Sequence, residues 1–276
     1  MSTNDRTALI AGAEAVADAM GEVARTFYHQ DSATLGAQLK ADKTFVTEAD
    51  RQTEDAARQV LARLFPDDGI LGEEREGHEG PSGRVWVIDP IDGTKAFMDG
   101  LPFFTNLLGV VEDGQLVLGI INQPIAHERW IGGPSIPTRY RYRDAHGQPI
   151  EIPARCLPAT TLDALAWRST TVEHLSPDEI PRFNRLAARV KSRHAGDAYP
   201  YGALARGRTL TAVVDADLAP WDIAGPAAVV LGAGGVVTDM AGLPLDYLKS
   251  GKTSVLAACT PAMHQAIRRV FEGDQM

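Results

Sequence analysis

The stretch Trp86-Val87-Ile88-Asp89-Pro90-Ile91-Asp92-Gly93-Thr94 constrains this chain more than any other. Its apolar run is long enough for one buried strand, and such a strand needs cover on both faces of its sheet. Two carboxylates follow with a Pro between them, which fixes φ and removes a donor, so a turn holding both acids is expected at the end of the strand. Gly93 permits close backbone approach to a ligand, and Thr94 adds a hydroxyl beside two amides. Hard oxygen ligands next to amide donors suit a divalent cation together with a phosphate. An acidic turn with no ligand is the plainer alternative for an isolated Asp-x-x-Asp, so the reading depends on the rest of the chain.

Around this stretch the hydrophobic pattern sketches the elements. Leu9, Ala13, Val16, Met20, Val23 and Phe27 fall at helical spacing. A loop at Lys40-Ala41-Asp42-Lys43 leads to Val46-Thr47-Glu48-Ala49-Asp50 and a second helix to Leu64, with Ala56, Val60, Leu61 and Leu64 as its expected buried face. Pro66-Asp67-Asp68-Gly69 is turn chemistry. Ile70-Leu71-Gly72 then reads as a short strand delivering Glu73 and Glu74, and residues 76–83 read as a mobile loop. Residues 106–111 and 116–121 form a hairpin about Asp113-Gly114. Trp130 and residues 139–143 mark further strands; the Arg-Tyr-Arg-Tyr-Arg alternation reads as an amphipathic strand with one solvated face.

In the second half, Ser176-Pro177-Asp178-Glu179 has capping-box form and predicts a helix to about Val190. Short elements follow: a helix near 199–205 closed by Gly207, a strand over 210–214, and a helix from Trp221-Asp222 to the Gly234-Gly235 pair. Strands over 236–238 and 255–257 precede a last helix, capped by Thr260-Pro261 and running to Phe271. Strands alternate with helices here, so residues 146–276 are expected to form an α/β half behind an α+β half over 1–145.

Composition narrows the partners. At 276 residues and 44% hydrophobic, the chain can bury a full core as one large domain or two intimate halves. A formal charge of −9 argues against nucleic acid or an anionic membrane, and it would repel phosphate unless bound metal reversed the local field. The polar start, the lack of any apolar run near ~18 residues, and two isolated cysteines, Cys156 and Cys259, predict a cytoplasmic protein. Gly251-Lys252-Thr253 has Asp246 where a P-loop needs its first Gly, and Gly232-Ala233-Gly234-Gly235 follows a helix, as a C-cap does. No Gly-x-Ser-x-Gly elbow exists, and the seven His form no metal-type pair.

Four acids remain at the ends of expected elements: Glu73, Asp89, Asp92 and Asp222. Metals shared by such carboxylates activate water, bind phosphate oxygens and stabilise a leaving alkoxide. Thr94 is placed to orient that water, and the Gly93 and Thr94 amides to hold the phosphate. Spacing alone does not establish that the four converge.

Taken in order, Gly72-Glu73-Glu74, the Trp86 to Thr94 stretch and Trp221-Asp222-Ile223-Ala224-Gly225-Pro226 resemble the three signatures of the inositol monophosphatase superfamily. Val46-Thr47-Glu48-Ala49-Asp50, preceded by Lys40, matches a fourth element, and the similarity covers nearly the whole chain. The resemblance implies a layered αβαβα sandwich of the fructose-1,6-bisphosphatase type and a Mg2+-dependent phosphomonoesterase inhibited by Li+. It implies two or three Mg2+ per site, with Mn2+ as a substitute, and a homodimer. Carried over by motif, Glu73, Asp89, the Ile91 carbonyl, Asp92 and Asp222 are the metal ligands. Thr94 and Glu73 activate the attacking water, with Asp50 behind Thr94, and no phosphoenzyme is implied.

Within the superfamily, Gly93-Thr94-Lys95-Ala96-Phe97-Met98-Asp99-Gly100-Leu101-Pro102, Asn122-Gln123-Pro124, Glu128-Arg129-Trp130 and Asp197-x-Tyr199-x-Tyr201-Gly202 resemble the histidinol-phosphate phosphatase branch. So does Asp215-Ala216-Asp217-Leu218-Ala219-Pro220, although the superfamily more often carries Glu at position 215. Asp197 or Asp215 would pair with a substrate ammonium, Asp92 and Asp222 completing the substrate side; a solvated strand end is the plainer reading of Asp215 and Asp217. Inositol 1-phosphate or another sugar phosphate, and a 3'(2'),5'-bisphosphate nucleotide, are the alternative substrates. A non-catalytic phospho-ligand or metal sensor is the alternative from another class.

Overall fold

The computed structural model describes residues 3–30, 35–39, 45–164, 166–169, 172–189 and 196–273. The loop at Lys40-Ala41-Asp42-Lys43 and the expected helix end at Val190 lie outside these residues. Helix α1 (Thr3–Tyr28) is followed by a minimal antiparallel pair, β1 (Gln38–Leu39) and β2 (Phe45–Val46), and by helix α2 (Glu48–Leu64). Seven strands then form the larger sheet in chain order: β3 (Gly69–Gly72), β4 (Arg84–Asp92), β5 (Thr105–Glu112), β6 (Gln115–Gln123), β7 (Glu128–Gly133), β8 (Ile136–Arg143) and β9 (Pro149–Pro153). Short helix α3 (Thr94–Met98) interrupts them after β4. β3 and β4 run parallel and every later pair is antiparallel. The smaller sheet holds β10 (Trp167–Ser169), β11 (Ala212–Leu218), β12 (Val236–Thr238) and β13 (Thr253–Ala258), ordered β10-β11-β13-β12. Helices α4 (Ile180–Ala187), α5 (Tyr199–Arg206), α6 (Pro220–Gly232) and α7 (Pro261–Glu272) complete the chain.

Alternation along β4 explains the layering. Trp86 and Ile88 face α1 and α2, packing with Leu9, Val16, Met20 and Leu61. Val87 faces the other way, into a cluster that includes Ile223, Ala224, Ala227 and Ala228 of α6. The same cluster takes in Val213, Val214, Leu256 and Ala257 of the smaller sheet, and Phe183, Leu186, Met263 and Ile267 of α4 and α7. The order helices, sheet, helices, sheet, helices is the expected αβαβα sandwich. Helix α6 is buried along most of its length, so it reads as apolar all round rather than as a stripe. Its close approach to the large sheet depends on Gly109, where an added Cβ would lie 2.5 Å from the Ala224 Cβ and 3.1 Å from backbone atoms of α6.

Three expectations are corrected. The buried face of α2 comprises Ala49, Asp50, Thr53, Glu54, Ala57 and Leu61, while Leu64 is 43% exposed. Two of the buried residues are acids that serve the site, so hydrophobicity alone points to the wrong face. Residues 76–83 are tied down: Ile70 and His78 exchange backbone hydrogen bonds of 2.9 Å, and the Ser82 amide donates to the Asp67 carbonyl. The Ser176 amide and hydroxyl do reach the Glu179 carboxylate, yet α4 begins only at Ile180 and ends at Ala187. Pro181 explains the delay, because a helix started at Ser176 would put its ring against the carbonyl one turn earlier. In the second half β10, β11 and β12 run in one direction, and β13 lies antiparallel between β11 and β12. Helix α6 joins β11 to β12 across β13 and fills the layer between the two sheets.

The alternation in β8 behaves as expected. Tyr140 is buried, while Arg139 and Arg141 pair with Glu151, and Arg141 also with Glu14. No helix among the described residues is long and apolar enough to cross a membrane.

Candidate active site

Asp89 and Asp92 both lie inside β4 rather than in a turn after it. In a regular strand, residues three apart face opposite sides. Here Asp89 is opposite Leu107 and Asp92 opposite Thr105, so Pro90 and Ile91 together oppose Asn106. That extra residue is a β-bulge, a place where a Pro in an inner strand is tolerated. It re-aims Asp92 to the side of Asp89. A polar ladder holds it: the Asn106 side-chain amide donates to the Pro90 carbonyl at 2.7 Å, and that of Asn122 to Asn106 Oδ1 at 2.8 Å. Arg129 then donates to Asn122 Oδ1 at 2.9 Å and pairs with Asp18 at 2.7 Å.

Asp222 comes from the first turn of α6, where its Oδ2 accepts the Ala219 amide at 2.6 Å. Pro226, one turn on, has no N–H to give the Asp222 carbonyl. One carboxylate oxygen from each of Asp89, Asp92 and Asp222 lies within 4.8 Å of the other two. Desolvation, then repulsion from Glu73 and from each other, pushes Asp89 well above the usual carboxylate range. Desolvation and Asp197 do the same to Asp92, although the Ala198 amide at 2.7 Å and the Thr105 hydroxyl at 3.1 Å donate to its Oδ2. Asp222 is pushed up to about 7, chiefly by burial and Glu73, with Lys252 pulling it back.

Carboxylates so placed repel one another unless a cation sits among them. Asp89 Oδ1 is buried with no hydrogen-bond partner among the described residues. An all-oxygen donor set with an orphaned acceptor fits a hard divalent cation better than zinc.

Asp50 is not an exposed acid at a helix start. It is 1% exposed at the third position of α2, where its Oδ2 accepts the Thr47 amide at 2.7 Å and the Thr47 hydroxyl at 2.5 Å. Burial, with a contribution from Glu73, pushes it up to about 6. The Thr94 hydroxyl lies 3.3 Å from Asp50 Oδ1 and 3.2 Å from the Ile91 carbonyl oxygen. Its single proton serves one of these, and its lone pairs stay available to a water. Glu73 follows β3 directly, and its charge acts on Asp50, Asp89 and Asp222, which places it between the Thr94 and metal-ligand sides.

Gly93 occupies the left-handed region (φ 88°, ψ 41°) as the cap of α3. Its first-turn amides have no intrahelical acceptor and are free to hold an anion. A Cβ on Gly93 would lie 2.7 Å from Asp197 Oδ2, so Asp197 stands directly against this cap. Asp197 lies at the mouth, adopts a positive φ of 41°, and has its pKa raised by desolvation, with Lys95 and His174 opposing. Asp215 is 8% exposed and faces the buried Tyr201 hydroxyl, which also feels Asp92 and Asp222. Asp217 is exposed, as a solvated strand end would be.

The structure thus brings Asp50, Glu73, Asp89, Ile91, Asp92, Gly93, Thr94, Asp197, Asp215 and Asp222 around one centre. Sequence reasoning missed Glu54. This fully buried acid of α2 accepts the Glu74 amide at 2.7 Å and pairs with Arg58 at 2.8 Å. Arg58 in turn donates to the Arg75 and Glu76 carbonyls, so the pair fixes the turn that carries Glu73. A Glu and an Arg four apart on a helix gave a signal indistinguishable from an ordinary surface pair.

Comparison with known proteins agrees with this geometry. The profile of the inositol monophosphatase family matches residues 5–275. A histidinol-phosphatase of Chlorobaculum parvum is 34% identical over 74% of this chain and 75% of its own length. The bifunctional phosphatase IMPL2 of Arabidopsis thaliana, described as chloroplastic, is 35% identical over 86% of this chain, which spans 65% of that protein. Among solved structures, an inositol monophosphatase from Zymomonas mobilis superposes with a TM-score of 0.79 at 32% identity, covering 99% of this chain and 100% of the other.

Proposed function

The chain belongs to the inositol monophosphatase family of phosphatases, and on that premise we propose that it is a Mg2+-dependent histidinol-phosphate phosphatase. The observation that carries the substrate is Asp197: an exposed carboxylate pressed against the Gly93 cap, within reach of a ligand whose phosphate sits on that cap. A phosphomonoester with an ammonium on its alcohol portion complements it, with Asp215 as a second acid behind. The histidinol-phosphatase likeness of the Chlorobaculum protein supports the same substrate. Inositol 1-phosphate is the second reading, favoured by the Zymomonas structure over the full chain length.

In the proposed mechanism Glu73, Asp89, the Ile91 carbonyl, Asp92 and Asp222 would hold the metal. A divalent cation there supplies Lewis acidity towards the phosphate and lowers the pKa of a bound water. Thr94 would orient the water as a hydrogen-bond acceptor, its own hydroxyl donating to Asp50, and Glu73 would accept the one proton the water loses as it attacks. The Gly93 and Thr94 amides fix two phosphate oxygens, and Asp197 and Asp215, with Asp92 and Asp222, orient the leaving alcohol. Two unpaired cysteines support a cytoplasmic setting, and the family likeness supports a homodimer and inhibition by Li+.

Phosphate release from histidinol phosphate, inositol 1-phosphate and 3'-phosphoadenosine 5'-phosphate, with and without Mg2+, tests this. Histidinol phosphate should give the highest kcat/KM, and only with metal. A preference for either other substrate overturns the substrate, and turnover in excess chelator overturns the metal site.

A further inference from the structure

Two sequence segments, Glu128-Arg129-Trp130 and the Tyr199-x-Tyr201-Gly202 run that follows Asp197, meet in the structure. Glu128 opens β7, and Tyr199 opens α5, immediately after Asp197 and Ala198. The Tyr199 hydroxyl donates to one carboxylate oxygen of Glu128, and the Tyr140 hydroxyl of the neighbouring strand donates to the other. Arg206 lies on the same face of α5 as Tyr199, two turns on. It reaches Glu128 at 3.7 Å and stacks over the Tyr140 ring at 4.4 Å. Glu128 therefore ties both ends of α5 to the large sheet. Trp130 completes the joint: the Tyr199 ring meets it edge-on at 5.5 Å. Gly202 bares its backbone against the indole, where an added Cβ would lie 2.8 Å from the ring.

What this joint holds in place is the wall of the site. Ala198, at the head of α5, gives its amide to Asp92, and Asp197 stands against Gly93 with a backbone in the left-handed region. A non-Gly residue at positive φ persists only where its surroundings over-determine it. Immediately downstream of Asp197, the chain is held by the Ala198 amide on Asp92 and by the Tyr199 hydroxyl on Glu128.

We propose that Glu128 is a positioning residue for substrate selection: acting through the Tyr199 hydroxyl, it sets the placement of Asp197 at the mouth of the site. It touches neither substrate nor metal. This rests on the reading of Asp197 as the residue that meets the alcohol portion of the substrate.

Tyr199→Phe tests it, since the ring and its contact with Trp130 remain and only the hydroxyl bond is lost; Glu128→Gln, which keeps one carbonyl acceptor, is the milder companion. Each is assayed in the full-length protein on histidinol phosphate, inositol 1-phosphate and p-nitrophenyl phosphate, whose aryl leaving group offers Asp197 nothing to hold. For whichever of the first two the unaltered enzyme prefers, Tyr199→Phe should raise KM about tenfold, the scale of one lost hydrogen bond to a charged group. KM for p-nitrophenyl phosphate should stay within about twofold, and Glu128→Gln should fall between the two proteins. A parallel decline on both substrates, tracking a fall in Tm, would make the joint merely structural and overturn the proposal, as would unchanged KM values. A preference of the unaltered enzyme for inositol 1-phosphate would refute the proposed substrate while leaving the joint testable on that ester.

Discussion

Replacing Asp50 by Asn should make the metal-free protein more stable and far less active. The carboxylate is 1% exposed and has its pKa pushed up to about 6 from an ordinary 3.8. At about 1.36 kcal/mol per pH unit, holding that charge in the fold costs about 3 kcal/mol once the group is ionised. Asn has the same shape, and its carbonyl oxygen can still accept from Thr47. The raised pKa is already net of the bonds from Thr47, which pull it down, so this cost needs no further allowance for them. A net stabilisation of about 3 kcal/mol is expected at pH 8 in chelator. The sign follows from linkage: a folded pKa above the unfolded one means that the penalty is absent below about pH 4 and complete above about pH 6. The advantage of Asn should therefore shrink to about 1 kcal/mol by pH 4.5. Urea unfolding of both proteins at the two pH values reads this, and phosphate release reads activity, expected to fall about a hundredfold when the partner of Thr94 loses its charge. An Asn variant less stable than the parent at pH 8 would refute the reasoning, because the bonds from Thr47 would then outweigh the buried charge.

The same logic applies to the metal ligands. Asp89, Asp92 and Asp222 all have folded pKa values raised above the unfolded one, Asp222 to about 7, so the Tm of metal-free protein should fall as pH rises from 4 to 7. Mg2+ should raise Tm at pH 8 and much less at pH 5; a flat Tm profile without metal would contradict the clustering. Thr94→Ala should lower kcat by at least about a hundredfold with little change in the Mg2+ concentration for half-activity; an equal loss of metal affinity, read by calorimetry, would move Thr94 to the metal shell. Gly109→Ala should lower stability by about 1–3 kcal/mol, seen as a lower urea midpoint, because the new methyl group meets α6 at 2.5 Å. An unchanged midpoint would mean that α6 can retreat without loss.

Much of this protein is written locally. The alternation that buries Trp86, Val87 and Ile88, the Asp113-Gly114 hairpin with both residues at positive φ, and the Thr260 cap of α7 are decided by residues within a turn of one another. Short motifs likewise named the acids, since Glu73, Asp89 and Asp92 each sit beside a Gly or Pro, and Asp222 two residues after Pro220, whose backbone constraint is visible in the chain. Tertiary structure decided what those acids do together. Whether Asp89 and Asp92 share a side depends on a bulge held by Asn106, Asn122 and Arg129, partners up to 39 positions away. The inward face of α2 went unread because Asp50 and Glu54 are buried for the sake of the site rather than by hydrophobicity. Hydrophobic pattern reports local geometry, with periods of 2 and 3.6 residues. The energy of a buried charge, by contrast, depends on which distant groups desolvate and surround it, and no spacing along the chain encodes that.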